Sequence, residues 1–413
     1  MREIISSLDL GSSKIKLVVA EIIDDRFNVL CAIDEDSRGI KKGAIVEPAE
    51  TEYAIRKLLK RAEEVLGIKV SKTIVGIAED NADFKIGEAT VTITSEDKEI
   101  QASDMVRALQ TSAKDRVNKN MELVTIIPIM FKVDDTKTHM PRGMQGNKLS
   151  VKSVVVSVPK KDVYLAAKSL EKCGLEVIDI NITSIGSYFA HKSETTDTQT
   201  GCIMDIGCDT TKVAIINKGI IINNLVIPYG GKNVDNDLGF IYKLKEEQSK
   251  RLKENMALAH KKNASPKERE TLTNTLGDKV TVNQYEVSEI VMSRLHEMLN
   301  LAKNEINYLT KKEISYIIIT GGLTEMTDFV LEVESVFGKI AYVGKIPIVG
   351  VRDNKYAACV GMIKFYDTKL KLRDKEFSIF NQDELDILTG NTETKKSKNE
   401  NVFSKVFGIF FDN

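Results

Sequence analysis

Residues 202–216, Cys-Ile-Met-Asp-Ile-Gly-Cys-Asp-Thr-Thr-Lys-Val-Ala-Ile-Ile, are an apolar run that ends in Asp205-Ile206-Gly207, passes a short polar turn and returns as a second apolar run. Residues 4–19 have the same form. Ile4, Ile5 and Leu8 lead into Asp9-Leu10-Gly11-Ser12-Ser13-Lys14, and Ile15-Lys16-Leu17-Val18-Val19 follows. Alternation and β-branched content make each unit a strand–turn–strand hairpin rather than a helix. Two copies of one turn, about 200 residues apart, predict an internally duplicated α/β architecture.

A hairpin tip built from glycine and small polar residues can aim several backbone N–H groups at one anion. Gly11 permits close backbone approach, Ser12 and Ser13 add donors, and Lys14 supplies a positive charge. Gly207, Cys208, Asp209, Thr210 and Thr211 offer a second tip from the opposite side. Asp9 and Asp205, at the two strand ends, suit a Mg2+ ion held through its waters, because Mg2+ dehydrates reluctantly. A third turn follows the apolar run 316–320, where Gly321, Gly322 and Leu323 let backbone lie against an adenosine. One Asp-x-Gly hairpin is commonplace. Two of them, with a glycine turn after a third strand, are far more specific and point to a bound nucleotide.

The remaining pattern fills in the chain around these turns. Residues 50–66 read as a helix with Ala54, Leu58, Leu59, Ala62, Val65 and Leu66 on one stripe, and a strand follows at 73–77. Residues 83–179 read as a small α+β insertion, with helices at 103–117 and 161–173 and a loop marked by proline and glycine at 139–146. Helical stretches follow around 234–259 and 283–309, and the last packed helix is expected at 356–365. Residues 368–400 are polar and charged and read as a flexible linker.

These features resemble the actin/Hsp70/sugar-kinase superfamily and, within it, the FtsA family of bacterial division proteins. The two hairpin tips match the superfamily's phosphate loops, and residues 317–322 its adenosine loop. More specific to FtsA are residues 37–46 (Ser-Arg-Gly-Ile-Lys-Lys-Gly-Ala-Ile-Val), residues 141–146 with Leu149, and residues 170–177 (Leu-Glu-Lys-Cys-Gly-Leu-Glu-Val). The resemblance runs from Met1 to about Asp367 and resumes at the tail. It implies an actin-like two-lobed ATPase fold, with residues 1–82, 180–200 and 355–367 in the first lobe and 201–229 and 310–354 in the second. It further implies that 83–179 serve self-assembly into a homopolymer and that 230–309 grip the C-terminal peptide of FtsZ. Lys253 falls on the family's ribose-side lysine. Two positions depart from the family pattern: Cys208 replaces a glycine of the second phosphate loop, and Lys250 replaces a glutamate three residues before Lys253. An altered ATP affinity is the expectation.

Bulk properties narrow the alternatives. A net charge of −1 over 413 residues leaves no positive surplus to face nucleic acid. No apolar run reaches the roughly 18 residues of a membrane span, and the N-terminus has no signal-peptide pattern. The five cysteines are scattered and read as reduced thiols, so a cytosolic protein is expected. His139, His191, His260 and His296 match no metal site or catalytic pair. No glutamine or histidine stands out to position a water, so no catalytic residue is assigned and at most slow ATP turnover is expected.

In residues 401–413, Val402, Phe403, Val406, Phe407, Ile409, Phe410 and Phe411 would share one broad apolar face of a helix. Such a face can lie in an anionic membrane interface, with Lys395, Lys396 and Lys398 near the headgroups, or pack on the protein itself. The resemblance, whose members end in a membrane helix, favours the cytoplasmic face of the cell membrane at the division site. A small-molecule kinase on the same fold is the alternative and would need an acidic base beside a substrate pocket. A chaperone would need a sizeable peptide-binding domain after 366, where the residues are few and polar.

Overall fold

A computed structural model of the protein describes residues 3–388. Its first sheet begins with a meander of three antiparallel strands, β1 (Glu3–Leu10), β2 (Lys14–Ile23) and β3 (Arg26–Asp36). A short hairpin, β4 (Ile40–Lys41) and β5 (Ala44–Ile45), leads to helix α1 (Pro48–Leu66) and strand β6 (Lys72–Ile77). Helix α1 has Pro48 in its first turn and ends at Gly67, whose left-handed φ of 71° lets its N–H reach Glu63 O. Ala54, Ile55, Leu58, Leu59, Ala62 and Leu66 are its buried stripe. Val65, expected there, is exposed, and Ile55 takes its place.

The insertion contributes β7 (Asp83–Thr92), α2 (Ala102–Ala113), β8 (Met121–Val133), β9 (Thr136–Thr138) and β10 (Lys148–Pro159), with sheet order β7-β10-β8-β9. It is smaller than the sequence predicts. Helix α3 (Lys160–Lys172) lies on α1, where Lys172 meets Glu52 at 3.1 Å, and β11 (Glu176–Ile182) pairs in parallel with β6. Both are attached to the first lobe by these contacts with α1 and β6. Helix α4 (Thr183–His191) follows.

The second lobe repeats the first. A meander of β12 (Thr200–Ile206), β13 (Thr211–Asn217) and β14 (Ile220–Ile227) is followed by α5 (Gly231–Tyr242), α6 (Glu246–Met256), a hairpin of β15 (Arg269–Thr273) and β16 (Lys279–Asn283), and α7 (Gln284–Leu309). Then come β17 (Tyr316–Thr320), α8 (Phe329–Phe337) and β18 (Ala341–Val343). The two sheets run β11-β6-β1-β2-β3 and β18-β17-β12-β13-β14, each a three-stranded meander extended by two parallel strands. The duplication read from the hairpins therefore extends to both whole sheets.

The chain returns to the first lobe through α9 (Ala357–Arg373), longer than expected, and α10 (Gln382–Leu388). Residues 368–388 are thus not the start of a linker. Leu370, Ile379, Phe380 and Leu385 are buried in the first lobe's core, and the Ile379 N–H donates to Ile4 O at 2.8 Å. The polar composition conceals these few apolar anchors. The expected membrane face (Val402, Phe403, Val406, Phe407, Ile409, Phe410 and Phe411) and the rest of the linker lie outside the described residues. Among the described residues, no helix is long and apolar enough to cross a membrane.

Candidate functional site

The equivalent hairpins meet across the space between the lobes, and the register of each sets its chemistry. Asp9 stands opposite Lys16 in one, and Asp205 opposite Lys212 in the other. In both, the lysine follows the aspartate by seven residues, a spacing visible in the sequence that would have singled out Lys16 and Lys212. Lys16 pairs with Asp9 at 2.7 Å. Burial works against its charge, but the adjacent carboxylate prevails and holds the ammonium above its ordinary value. Lys212 is raised in the same way, by Glu79 first and then Asp205 and Asp9, against burial. Asp205 accepts from Ser187 Oγ of α4 at 2.7 Å.

Glu79, one of the residues that sequence reading missed, is buried just beyond β6. It accepts from Thr183 Oγ1 at 2.9 Å and from Ser184 Oγ at 2.9 Å, and it lies 3.5 Å from Lys212 Nζ. Asn224 of β14 donates to it at 3.3 Å. A first-lobe carboxylate thereby holds two second-lobe side chains at the floor of the cleft.

Above this floor lies a cavity of about 710 Å3. Gly11, Ser12, Ser13 and Lys14 line it from the first lobe, and Gly207, Cys208, Asp209 and Thr210 from the second. Asp9, Asp205, Lys253, Gly321, Gly322 and Leu323 complete the set expected from sequence. Thr211 is the exception. Its hydroxyl turns away and donates to Tyr229 O at 2.8 Å, because the strand resumes at that residue. Close backbone packing shapes the walls: a Cβ on Gly230 would stand 2.3 Å from Cys208 O, and one on Gly11 would stand 2.6 Å from Lys14 O. The mouth is bridged by the Lys42 N–H, which donates to Asp209 Oδ2 at 2.9 Å across the lobes.

Most cations of the cavity are already paired. Lys14 meets Asp36 at 2.9 Å and Asp34 at 3.1 Å, Lys253 meets Asp235 at 2.8 Å, and Lys232 meets Glu246 at 2.7 Å. Lys250, on α6, reaches Ser13 Oγ at 3.5 Å, so it approaches the first hairpin tip. An anion here would be held chiefly by the backbone N–H groups of the two tips, not by loose ammonium groups. Cys208 adds no charge: burial first, then Asp209, pushes its thiol up to about 11. No histidine is among the residues lining the cavity. His191 instead joins Thr320 Oγ1 at 3.0 Å, and His296 joins Glu332 at 2.7 Å. Among the described residues, no group of three or more histidines, cysteines or carboxylates could ligate a metal directly.

One carboxylate at the edge gives a pH-dependent prediction. Asp34 receives Lys14 and also Lys355, the latter at 2.9 Å. Burial would raise its pKa, but the hydrogen bonds from Lys355 and Lys14 outweigh burial and bring it down to about 2. A carboxyl depressed below its unfolded value of about 3.9 stabilises the fold fully above that pH and loses the contribution as pH falls through about 2. Asp34→Asn should therefore cost about 1 kcal/mol at neutral pH, a cost that shrinks toward zero near pH 2. Urea midpoints of parent and variant across that range check it, and a cost independent of pH would refute it.

Comparison with known proteins adds three findings. Residues 202–361 match the family model for cell division protein FtsA, and residues 82–157 match the model for the SHS2 domain inserted in FtsA. The cell division protein FtsA of Bacillus subtilis is 29% identical over 368 residues, covering 88% of this chain and 83% of that protein. Among solved structures, MreB5 of Spiroplasma citri bound to ADP superposes with a TM-score of 0.56 at 12% identity, covering 89% of this chain and 98% of that one. The MamK double helical filament gives 0.51 at 11% identity, covering 88% and 99%.

Proposed function

Because this chain belongs to the FtsA family of cell-division proteins and has an actin-like fold, we propose that it binds ATP in the interlobe cleft, polymerises, and tethers FtsZ filaments to the inner face of the cell membrane. The observation that carries the nucleotide reading is the convergence of both hairpin tips and the Gly321-Gly322 turn on one cavity. The ADP of MreB5 supports it. In this reading the tips cradle the phosphates, and Asp9 and Asp205 hold Mg2+ through its waters. Lys253 faces the ribose, and Gly321, Gly322 and Leu323 flank the adenosine. Hydrolysis is slow in this reading, and the nucleotide acts by favouring a closed cleft.

The partner side of the reading rests on other surfaces. Residues 230–309 are proposed to take the FtsZ peptide. Phe240 is 86% exposed at the end of α5 and Ile241 is exposed beside it, the apolar surface such a peptide needs. The insertion is proposed to mediate self-assembly, for which the MamK filament offers a precedent on this fold. Residues 401–413 are proposed as the membrane anchor, their single-copy affinity multiplied by polymerisation.

Co-sedimentation with anionic vesicles in the presence of ATP tests the tether. The intact chain should pellet with vesicles and bring FtsZ with it. A chain ending at Asn399 should lose vesicle binding by about tenfold or more, since each apolar side chain partly buried in the interface contributes about 1 kcal/mol. Equal binding by both chains would remove the anchor role from residues 401–413. The second hairpin gives a separate test. Cys208→Gly restores the smaller residue of the family loop and should tighten ATP binding by roughly threefold to tenfold. Titration with a fluorescent ATP analogue measures it, and unchanged affinity would show that position 208 does not limit the approach of phosphate.

A further inference from the structure

A second cavity, of about 370 Å3, opens where three units meet and shares no lining residue with the cleft. Helix α2 and the middle of β8 form the insertion's wall, α4 and α9 form that of the first lobe, and Gly219-Ile220, at the β13–β14 turn, forms that of the second. Leu109, Ile126, Pro128, Phe189, Phe365 and Leu372 make the lining mainly apolar. Lys192, Lys369 and Arg373 also line it, and among the described residues no carboxylate does.

The cations are built into the wall. Lys369 lies 4.9 Å over the Phe365 ring and is held by Asp179 at 2.7 Å, while Lys192 lies 5.1 Å over Phe189 and meets Asp197 at 3.1 Å. Despite Asp179, burial keeps the Lys369 ammonium below the ordinary lysine value, so a further negative charge beside it would be favourable. An apolar chamber of this size with a few convergent charges of one sign has the character of a small-molecule site.

We propose that this cavity binds a single-chain amphiphile with an anionic head, its hydrocarbon chain among Leu109, Ile126, Phe189 and Phe365 and its head at the rim of Lys192, Lys369 and Arg373. Because the walls come from three units, the bound chain would fix the insertion against both lobes. The inference does not depend on nucleotide binding or on the membrane anchor.

Calorimetric titration of the full chain with dodecanoate and with dodecanol, both below their aggregation limits, provides the test. Dodecanoate should bind about tenfold or more tightly than dodecanol, because only it supplies the anion. Thr368→Trp, which places an indole in the cavity from an exposed position, and Lys192→Glu, which reverses the rim charge, should each weaken dodecanoate about tenfold or more. Thr368→Trp should leave the thermal midpoint and ATP-analogue binding unchanged, and Lys192→Glu should leave ATP-analogue binding unchanged. Equal affinity for the two amphiphiles, or undiminished dodecanoate binding by both variants, would overturn the proposal.

Discussion

Gly361→Val should destabilise the fold by about 4 kcal/mol or more, a large share of what a domain possesses. Helices α4 and α9 cross with their backbones in contact. A Cβ on Gly361 would stand 1.6 Å from Gly186 O, and one on Gly186 would stand 2.3 Å from Ala358 O. No rotamer relieves a clash with backbone, so any side chain at 361 must push the helices apart. The layers they pack against would then move as well, since Ile185, Tyr188, Val360, Met362 and Ile363 are fully buried in the first lobe's core. The effect should also reach the cleft. Helix α4 carries Thr183 and Ser187, which contact Glu79 and Asp205, and α9 follows directly from Lys355 and Tyr356, which contact Asp34. The milder Gly361→Ala should therefore weaken ATP-analogue binding even where enough protein remains folded to assay. Urea unfolding followed by circular dichroism measures the first effect. A midpoint equal to the parent's would mean that the two helices are not held in contact in solution.

What the sequence made legible and what it concealed divide along a physical line. The hairpins were readable because a period of two and an Asp-x-Gly turn are local signals, and the parallel strands 73–77 and 316–320 were readable as short runs rich in isoleucine and valine. Fourteen of the fifteen residues assigned to nucleotide or metal line one cavity: thirteen were read from turns and strand ends whose geometry is set within a few residues, and Lys253 came from the family resemblance. Thr211 fell outside because a turn's last polar residue can belong to the next strand. Glu79 gave no local signal. Its partners Thr183 and Asn224 lie 104 and 145 residues away, and only the folded chain brings them together. Lys16 was passed over for Lys14 because the turn drew attention from the strand. In the structure Lys14 pairs with the β3 acids and Lys16 with Asp9. Residues 368–388 show the converse error, in which average polarity hid the sparse anchors Ile379, Phe380 and Leu385.

Those two neighbouring glycines of the third turn allow the nucleotide reading to be tested apart from the fold. Gly321 has φ of +99°, and a Cβ there would stand 2.5 Å from both Asp205 Oδ1 and Ile206 O. Gly321→Val should therefore strain the backbone, displace Asp205 from Ser187, and lower both stability and ATP affinity. Gly322 is different. It is exposed in the cavity wall, its φ is unremarkable, and a Cβ would meet nothing nearer than Lys355 Cβ at 3.9 Å. Gly322→Gln should leave the thermal midpoint within a degree or so of the parent, a surface change of the order of ±0.5 kcal/mol. If the adenosine lies flat on this turn, the same side chain occupies its place, and affinity for a fluorescent ATP analogue should fall by about a hundredfold. The pair separates two causes that one variant would merge: loss in Gly321→Val alone is explained by distortion, whereas loss in Gly322→Gln with the fold intact requires the ligand to be there. Undiminished binding by Gly322→Gln would place the adenosine elsewhere in the cleft, leaving the two hairpin tips as the part of the reading still to be tested.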